Sequence, residues 1–326
     1  MVPTPNPFDR RRGDMARWWI PVVILSALAG ACRPAPGAGP MRVRFGALPV
    51  LDVLPVYVAQ AEGYFAQAGL EVEVVPAASA AERDQLMQAG RIDAMVNDLV
   101  STLFYNKERP QIYVVRLARR AFPEAPQYFV LASPKATIAG PQDLRGAEIA
   151  ISQGTVIEYM TDRLLERAGL KRGDYRTVNI PRIPDRLQAL VEGRVPAATL
   201  PDPFATLALQ QGAKVVLDDR EATEISMSVL SFRAEVVEQN PEAVRRFLQA
   251  WDRAVEAINA RPDAYAGLLS DKGLVPQPLV GRYRLPPFPA RGLPSREAVA
   301  DGIAWARDKG LIPGEIAYER LVREIR

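Results

Sequence analysis

The sequence predicts an α/β fold in two units, on three observations. Short apolar runs alternate with segments of helical spacing over residues 42–217, the pattern of strands joined by helices. The alternation breaks at Pro141-Gln142-Asp143-Leu144-Arg145-Gly146 and then begins again. Small or polar residues recur just past the predicted strand ends, at Asp52, at Asn97-Asp98, over 152–155 and at Asp202. In open α/β sheets ligands lie beyond those carboxyl ends.

In the first unit, 42–48 alternates and reads as a strand, followed by a loop at 49–52. Residues 53–68 have helical spacing, with Val58, Ala61 and Phe65 on one side, and stop at Gly69. A strand at 70–76 leads to a helix that Ser79 caps and that runs to Ala89. The short strand 94–96 passes directly into Asn97-Asp98 and a helix over 99–106, and 112–117 is another strand. The strand 128–133 then leaves this unit.

In the second unit, the buried strand 149–151 turns through Ser152-Gln153-Gly154-Thr155 into a helix reaching Arg167. Thr155 with Glu158 three positions on forms a capping-box pattern. The N–H groups at such a helix start can hold a ligand by donation and dipole, and Gly154 would let the backbone come close to it. Strands at 177–179 and 197–199 flank a helix at 185–192. Asp202 stands where an N-cap belongs, with Pro203 first in the helix. Residues 214–217 close the unit, and 225–232 reads as a strand returning to the first. The remainder predicts helices at 241–259, 262–269, 295–309 and 316–325, with a Pro-rich loop at 275–294.

Composition excludes several functions. The chain has 326 residues, 48% hydrophobic and 24% charged, enough for about two domains with a sizeable core. A net charge of +3, with 41 scattered basic residues, gives no nucleic-acid footprint. There is no histidine and one cysteine. That removes Ser-His-Asp and Cys-His catalysis, histidine-ligated zinc and intramolecular disulfides. No cofactor, metal or catalytic residue is expected.

The N-terminus reads as an address. Basic residues Arg10 to Arg12 and Arg17 precede an apolar stretch at 18–28, and Ala29-Gly30-Ala31 lead into Cys32. This is signal-peptide anatomy over 1–31, too short for a comfortable membrane span; Met15 is the better start. The small residues before the cysteine resemble a bacterial lipobox, although Ala29 replaces the commoner leucine. Processing would make Cys32 the lipid-bearing first residue. Residues 33–40 would then form a tether of at most about 29 Å.

The run Leu54-Pro55-Val56-Tyr57-Val58-Ala59-Gln60-Ala61-Glu62-Gly63-Tyr64-Phe65, followed by Gly69-Leu70-Glu71-Val72-Glu73, resembles the opening signature of periplasmic solute-binding proteins. The branch is the one serving sulfonate, taurine, nitrate and thiamine-precursor importers, the NMT1/THI5-like and SsuA-like proteins. Gly90-Arg91-Ile92-Asp93-Ala94, Asp143-Leu144-Arg145-Gly146 and Gly193-Arg194-Val195-Pro196-Ala197-Ala198 match further features. The resemblance implies a type II binding-protein fold: two lobes, each a mixed, mostly parallel sheet flanked by helices, with a ligand cleft between them. The first lobe would be 41–132 plus 225–326, and the second 133–224. It also implies a monomer that closes on a small molecule and docks on a membrane permease. The chain has no phosphate-binding P-loop, so ATP hydrolysis would belong to a partner subunit.

The expected ligand residues are Leu51, Asp52, Asn97 and Asp98 on the first lobe, and Ser152, Gln153, Gly154, Thr155, Asp202 and Phe204 on the second. Several have ordinary roles open to them: Asp52 as a solvated loop residue, Asn97-Asp98 and Asp202 as helix caps, Phe204 as core. Tyr57, Tyr64 and Tyr159 fit helix packing better than ligand stacking, and Ser226 and Ser228 are secondary candidates. None of the four loops carries Arg or Lys, whereas three aspartates do. An acid-lined cleft favours an N–H-bearing solute, such as a thiamine-precursor pyrimidine or another amino-heterocycle. Sulfonate, taurine or nitrate remains open if Arg116, Arg119 or Arg182 reaches in. The competing classes are a fold-related enzyme, a pyrimidine synthase or menaquinone-pathway lyase, and a lipid-anchored sensory domain.

Overall fold

A computed structural model describes residues 40–325. The expected signal peptide, Cys32 and nearly all of the tether lie outside the described residues. Among those described, no helix is long and apolar enough to cross a membrane.

The elements in chain order are β1 (Met41–Ala47), α1 (Leu54–Ala61), α2 (Tyr64–Gln67), β2 (Leu70–Pro76), α3 (Ala80–Gln88), β3 (Ala94–Asn97), α4 (Leu99–Asn106) and β4 (Ile112–Arg120). Next come β5 (Tyr128–Ala132), β6 (Glu148–Ile151), α5 (Val156–Arg167), β7 (Arg176–Asn179), α6 (Ile183–Val191), β8 (Ala197–Pro201), α7 (Phe204–Gln210) and β9 (Lys214–Asp218). The chain ends with β10 (Met227–Arg233), α8 (Ala234–Gln239), α9 (Pro241–Ala260), α10 (Ala266–Asp271) and α11 (Arg296–Asp308).

The strands form two sheets, ordered β2-β1-β3-β10-β4 and β7-β6-β8-β5-β9. In each sheet four strands run one way, and one opposes its two neighbours: β10 in the first, β5 in the second. The opposing strand is the one that arrives from the other sheet. Each sheet with its helices is termed a lobe below. Both have the same layout, so both present their carboxyl edges in the same way.

Three expectations are corrected. The strand Tyr128–Ala132 does not close the first unit: it pairs with β8 and β9, so the chain crosses between sheets before Tyr128 rather than after Ala132. The single helix expected over 53–68 is a 3-10 turn at Leu51–Val53 followed by α1 and α2, broken where Gly63 adopts a φ of 69°. The helix expected at 316–325 is only a 3-10 turn at Tyr318–Arg320, after which Val322 bridges to Val114 beside β4. Its apolar spacing serves a strand edge rather than a helix face.

The longest helix, α9, shows how the first lobe is packed. Ala243, Val244, Phe247, Leu248, Trp251, Ala254, Val255 and Ile258 repeat at helical spacing and are all buried. Phe247 lies 5.9 Å from Phe45 of β1, 5.1 Å from Phe232 of β10 and 4.9 Å from Phe65 of α2. This cluster clamps the far side of the sheet and leaves its carboxyl edge free for a site.

Two segments carry the chain between lobes, and Asp219 ties them together. Its carboxylate accepts from the Gln127 and Tyr128 N–H groups at 2.8 and 3.0 Å and from the Ser226 hydroxyl. The Ala121 N–H donates to the Ser226 carbonyl at 3.1 Å, joining the same two crossings. Asp219 is fully buried, and burial pushes its carboxyl up to about 6, against the pull of the hydrogen bonds it accepts. An unfolded aspartate releases its proton near pH 3.9. The folded state therefore binds more protons between these values. Stability from this group is complete below about pH 4 and is lost as pH rises through about 6. The two-unit difference amounts to about 3 kcal/mol. Urea unfolding from pH 4 to 7 should show Asp219→Asn lacking this part of the pH slope; matching slopes in both proteins would disprove it.

Candidate ligand-binding site

A cavity of about 120 Å³ lies between the carboxyl edges of the two sheets. The first lobe supplies the loop after β1, the start of α3, the end of β3 and the first residues of β10; the second supplies the ends of β6 and β8, the loop after β7 and the starts of α5, α6 and β5. Strand direction gathers these segments. A parallel strand ends, and an opposing strand begins, on the same edge.

The walls are largely apolar: Val50, Val53 and Val96 on one side, and Tyr128, Val156, Ile157 and Ile183 on the other. Pro49, Pro181, Pro184 and Pro201 add rigid backbone around them. Such walls suit the faces of a small ring compound, with a few polar groups left to orient it.

Of the residues expected from sequence, Asp52, Asn97, Asp98, Ser152 and Thr155 line this cavity. Asp52 accepts from the Ser228 hydroxyl at 2.5 Å, and Ser228 also lines the cavity. Behind Asp52 stands the buried Arg119, with Nη1 3.7 Å from its carboxylate. Asn97 is spent internally: Nδ2 donates to the Ser101 and Thr102 hydroxyls at 2.9 and 3.0 Å, and Oδ1 accepts from Ser231 at 2.7 Å.

Asp98 caps α4, accepting from the Ser101 N–H at 2.9 Å, and the Val156 N–H at the start of α5 lies near enough to favour its charged form. One carboxylate thus sits at two helix starts, one in each lobe. Burial raises its pKa, opposed by the Arg83 charge and by the two N–H groups.

This pairing revises the reading of α5. Its first turn was expected to offer free donors to a ligand. Instead the Gly154 N–H donates to Glu158 at 2.8 Å and the Ile157 N–H to Thr155 Oγ1 at 3.2 Å, while the Val156 N–H lies near the Asp98 carboxylate. Glu158 reaches the residue before the cap, not the cap itself. Gly154 has a φ of 70°, and the Phe104 ring lies 3.4 Å from where its Cβ would be. Glycine serves the turn there, not a ligand's approach.

The other expected residues do not line the cavity. Leu51 is buried core, Gln153 is exposed, and Phe204 is partly buried against the hydrophobic core. Asp202 is not the N-cap, since α7 starts at Phe204 with Pro203 in the cap position. Its carboxylate accepts from the Thr206 hydroxyl at 2.5 Å and from the Tyr283 hydroxyl of the Pro-rich loop. Arg116 pairs with Asp252 and Arg182 with Asp185, away from the cavity. Tyr159 packs edge-on against Trp305 at 5.4 Å.

Beyond the apolar walls, two charged lining residues lie outside the sequence candidates, Arg83 on α3 and Arg186 on α6. Both are buried, at 4% and 0% exposure. They escaped notice because they sit inside helices rather than in the four loops. Their only signal is an arginine one turn into a helix that follows a strand end. The cleft is therefore not simply acid-lined. Arg83 is balanced by Asp84, with Nη2 to Oδ1 at 2.7 Å.

Comparison with known proteins follows this geometry. A family model described as NMT1/THI5 like matches residues 51–265. The riboflavin-binding protein RibY of Chloroflexus aurantiacus is 26% identical over 258 residues, 74% of this chain and 70% of that protein. The 4-amino-5-hydroxymethyl-2-methylpyrimidine phosphate synthase THI13 of Saccharomyces cerevisiae is 22% identical over 236 residues, 64% of each chain. Among solved structures, the periplasmic aliphatic sulphonate binding protein SsuA of Escherichia coli superposes with a TM-score of 0.74 at 18% identity, covering 88% of this chain and 93% of that one. The fold is that of periplasmic binding proteins.

The double role of Asp98 is testable. Asp98→Ala removes a cap and an interlobe acceptor, and should cost about 1–2 kcal/mol in urea unfolding. Asp98→Ser, which keeps the cap, should recover part of that loss; equal losses in the two variants would refute the capping account. The family model spans about two thirds of the chain: the protein belongs to the NMT1/THI5-like family.

Proposed function

We propose that this chain is the extracytoplasmic solute-binding subunit of an ATP-driven importer, held to a membrane by lipid on Cys32. Its two lobes close on one small molecule and deliver it to a permease whose partner subunit hydrolyses ATP. The observation that carries this reading is the cavity between the two carboxyl edges, apolar in its walls and polar at a few fixed points. The two crossings tied by Asp219 are a natural hinge.

The solute we propose is a small amino-bearing heterocycle. Asp52, held by Ser228 and backed by Arg119, is an acceptor for ring N–H or amino groups. The valines and isoleucines around it fit ring faces. The named ligand of the riboflavin-binding relative, a fused heterocycle, supports the same class. Aliphatic sulfonate, taurine or nitrate is the second reading, favoured by the arginines in the cavity and by the sulphonate-binding structural relative.

Enzymatic activity is the competing class, raised by the yeast synthase relative. The absence of any histidine and the presence of one cysteine weigh against a synthase chemistry built on those side chains. Incubation with candidate solutes should leave them unchanged by mass spectrometry.

A thermal-shift and calorimetric panel of aminopyrimidines, flavins, sulfonates, taurine and nitrate tests the reading. A true solute at a hundred times its dissociation constant adds about 2.7 kcal/mol of stability. Asp52→Ala should weaken an amino-heterocycle by about 10- to 100-fold, the loss of one charged hydrogen bond. Tight sulfonate binding with none for the heterocycles would overturn the ligand class.

A further inference from the structure

The charges around the cavity are paired, with one exception. Asp52 faces Arg119, Arg83 is held by Asp84, and Asp98 lies at two helix starts near Arg83. Arg186 has only backbone carbonyls. Its Nε donates to Thr199 at 2.8 Å, and its Nη1 donates to Ile180 at 2.6 Å and Pro181 at 3.3 Å. Nη2 has no partner, although the side chain is fully buried and lines the cavity. Burial alone acts on its charge, drawing its pKa down to about 9. A buried cation with an idle N–H edge is costly unless something supplies an acceptor.

The three carbonyls fix the guanidinium plane. Backbone carbonyls hold two of its nitrogens, and the third, on a side chain that lines the cavity, is left without a partner. That edge suits a carboxylate, sulfonate or phosphate oxygen, which would supply both the missing acceptor and the missing charge.

We propose that Arg186 is an anion-anchoring subsite within this cavity, so that the solute carries an anionic oxygen group as well as an N–H-bearing ring. The inference rests on the binding-protein reading above and deepens it. Asp52 reads one end of the solute and Arg186 the other. A neutral ring alone fills the walls but leaves the guanidinium idle.

The test uses small anions as probes, independent of the natural solute. Acetate, methanesulfonate and inorganic phosphate at 10–50 mM (about the range that detects millimolar binding) are compared with chloride at equal ionic strength. At least one probe should raise the melting midpoint of the wild-type protein by about 2 °C or more. Arg186→Gln should abolish the shift, and Arg186→Lys, which keeps the charge but not the fork, should retain part of it. Arg182→Gln, at a residue paired with Asp185 and outside the cavity lining, should leave it intact. If Arg186→Gln does not fold, the Lys variant decides, because an undiminished shift there shows that the fork is not the anchor. No shift with any probe, or an equal shift in the Arg186 variants, overturns the subsite. A neutral aminopyrimidine or flavin that still stabilises the wild type shows that the binding-protein reading survives such a failure.

Discussion

One carboxylate stands where the two halves of the cleft meet. Asp98 caps α4 in its own lobe and lies beside the first N–H of α5 from the other. A helix start is a concentration of unpaired donors, and a buried carboxylate needs several donors to stay satisfied. Each meets the other's need only while the lobes are together. The polar chemistry of the site is thus divided: Asp98 serves a helix cap, and Asp52 accepts from the Ser228 hydroxyl beside Arg119.

The parts of this arrangement that were legible in sequence are those written in local pattern. Strand-end polar residues at Asp52, Asp98 and Thr155 were visible because period-two runs break into caps. The returning strand β10 was visible as an isolated apolar run after the second unit closed. What escaped depends on partners distant in the chain. The sequence of β5 is that of a buried strand, and nothing in Tyr128-Phe129-Val130-Leu131-Ala132 says which sheet buries it. Asp202 looked like a cap because Pro203 follows it, yet Tyr283 and Thr206 take its oxygens. Arg83 and Arg186 were hidden because helical arginines are ordinarily solvated, and only the tertiary fold buries these two.

Family membership narrows function less than it narrows shape. Relatives of this chain are named for binding a vitamin, binding a sulphonate and making a pyrimidine phosphate. A fold that offers strand ends from two sheets can serve any of these, and the outcome is decided by the few polar groups placed there. In this chain those groups include carboxylates and arginines but no imidazole and, among the described residues, no cluster fit to hold a metal.

The helix α11 belongs by sequence to the segment that follows the return to the first lobe, yet its polar face grips α5 of the second. Trp305 Nε1 donates to Asp162 at 2.8 Å, Lys309 reaches both Asp162 and Glu158, and Asp301 takes the Arg163 Nε–H at 2.9 Å. A jaw fastened along two margins cannot swing like a page. The carboxyl-terminal stretch is thus a strap between the lobes rather than an appendage to one of them.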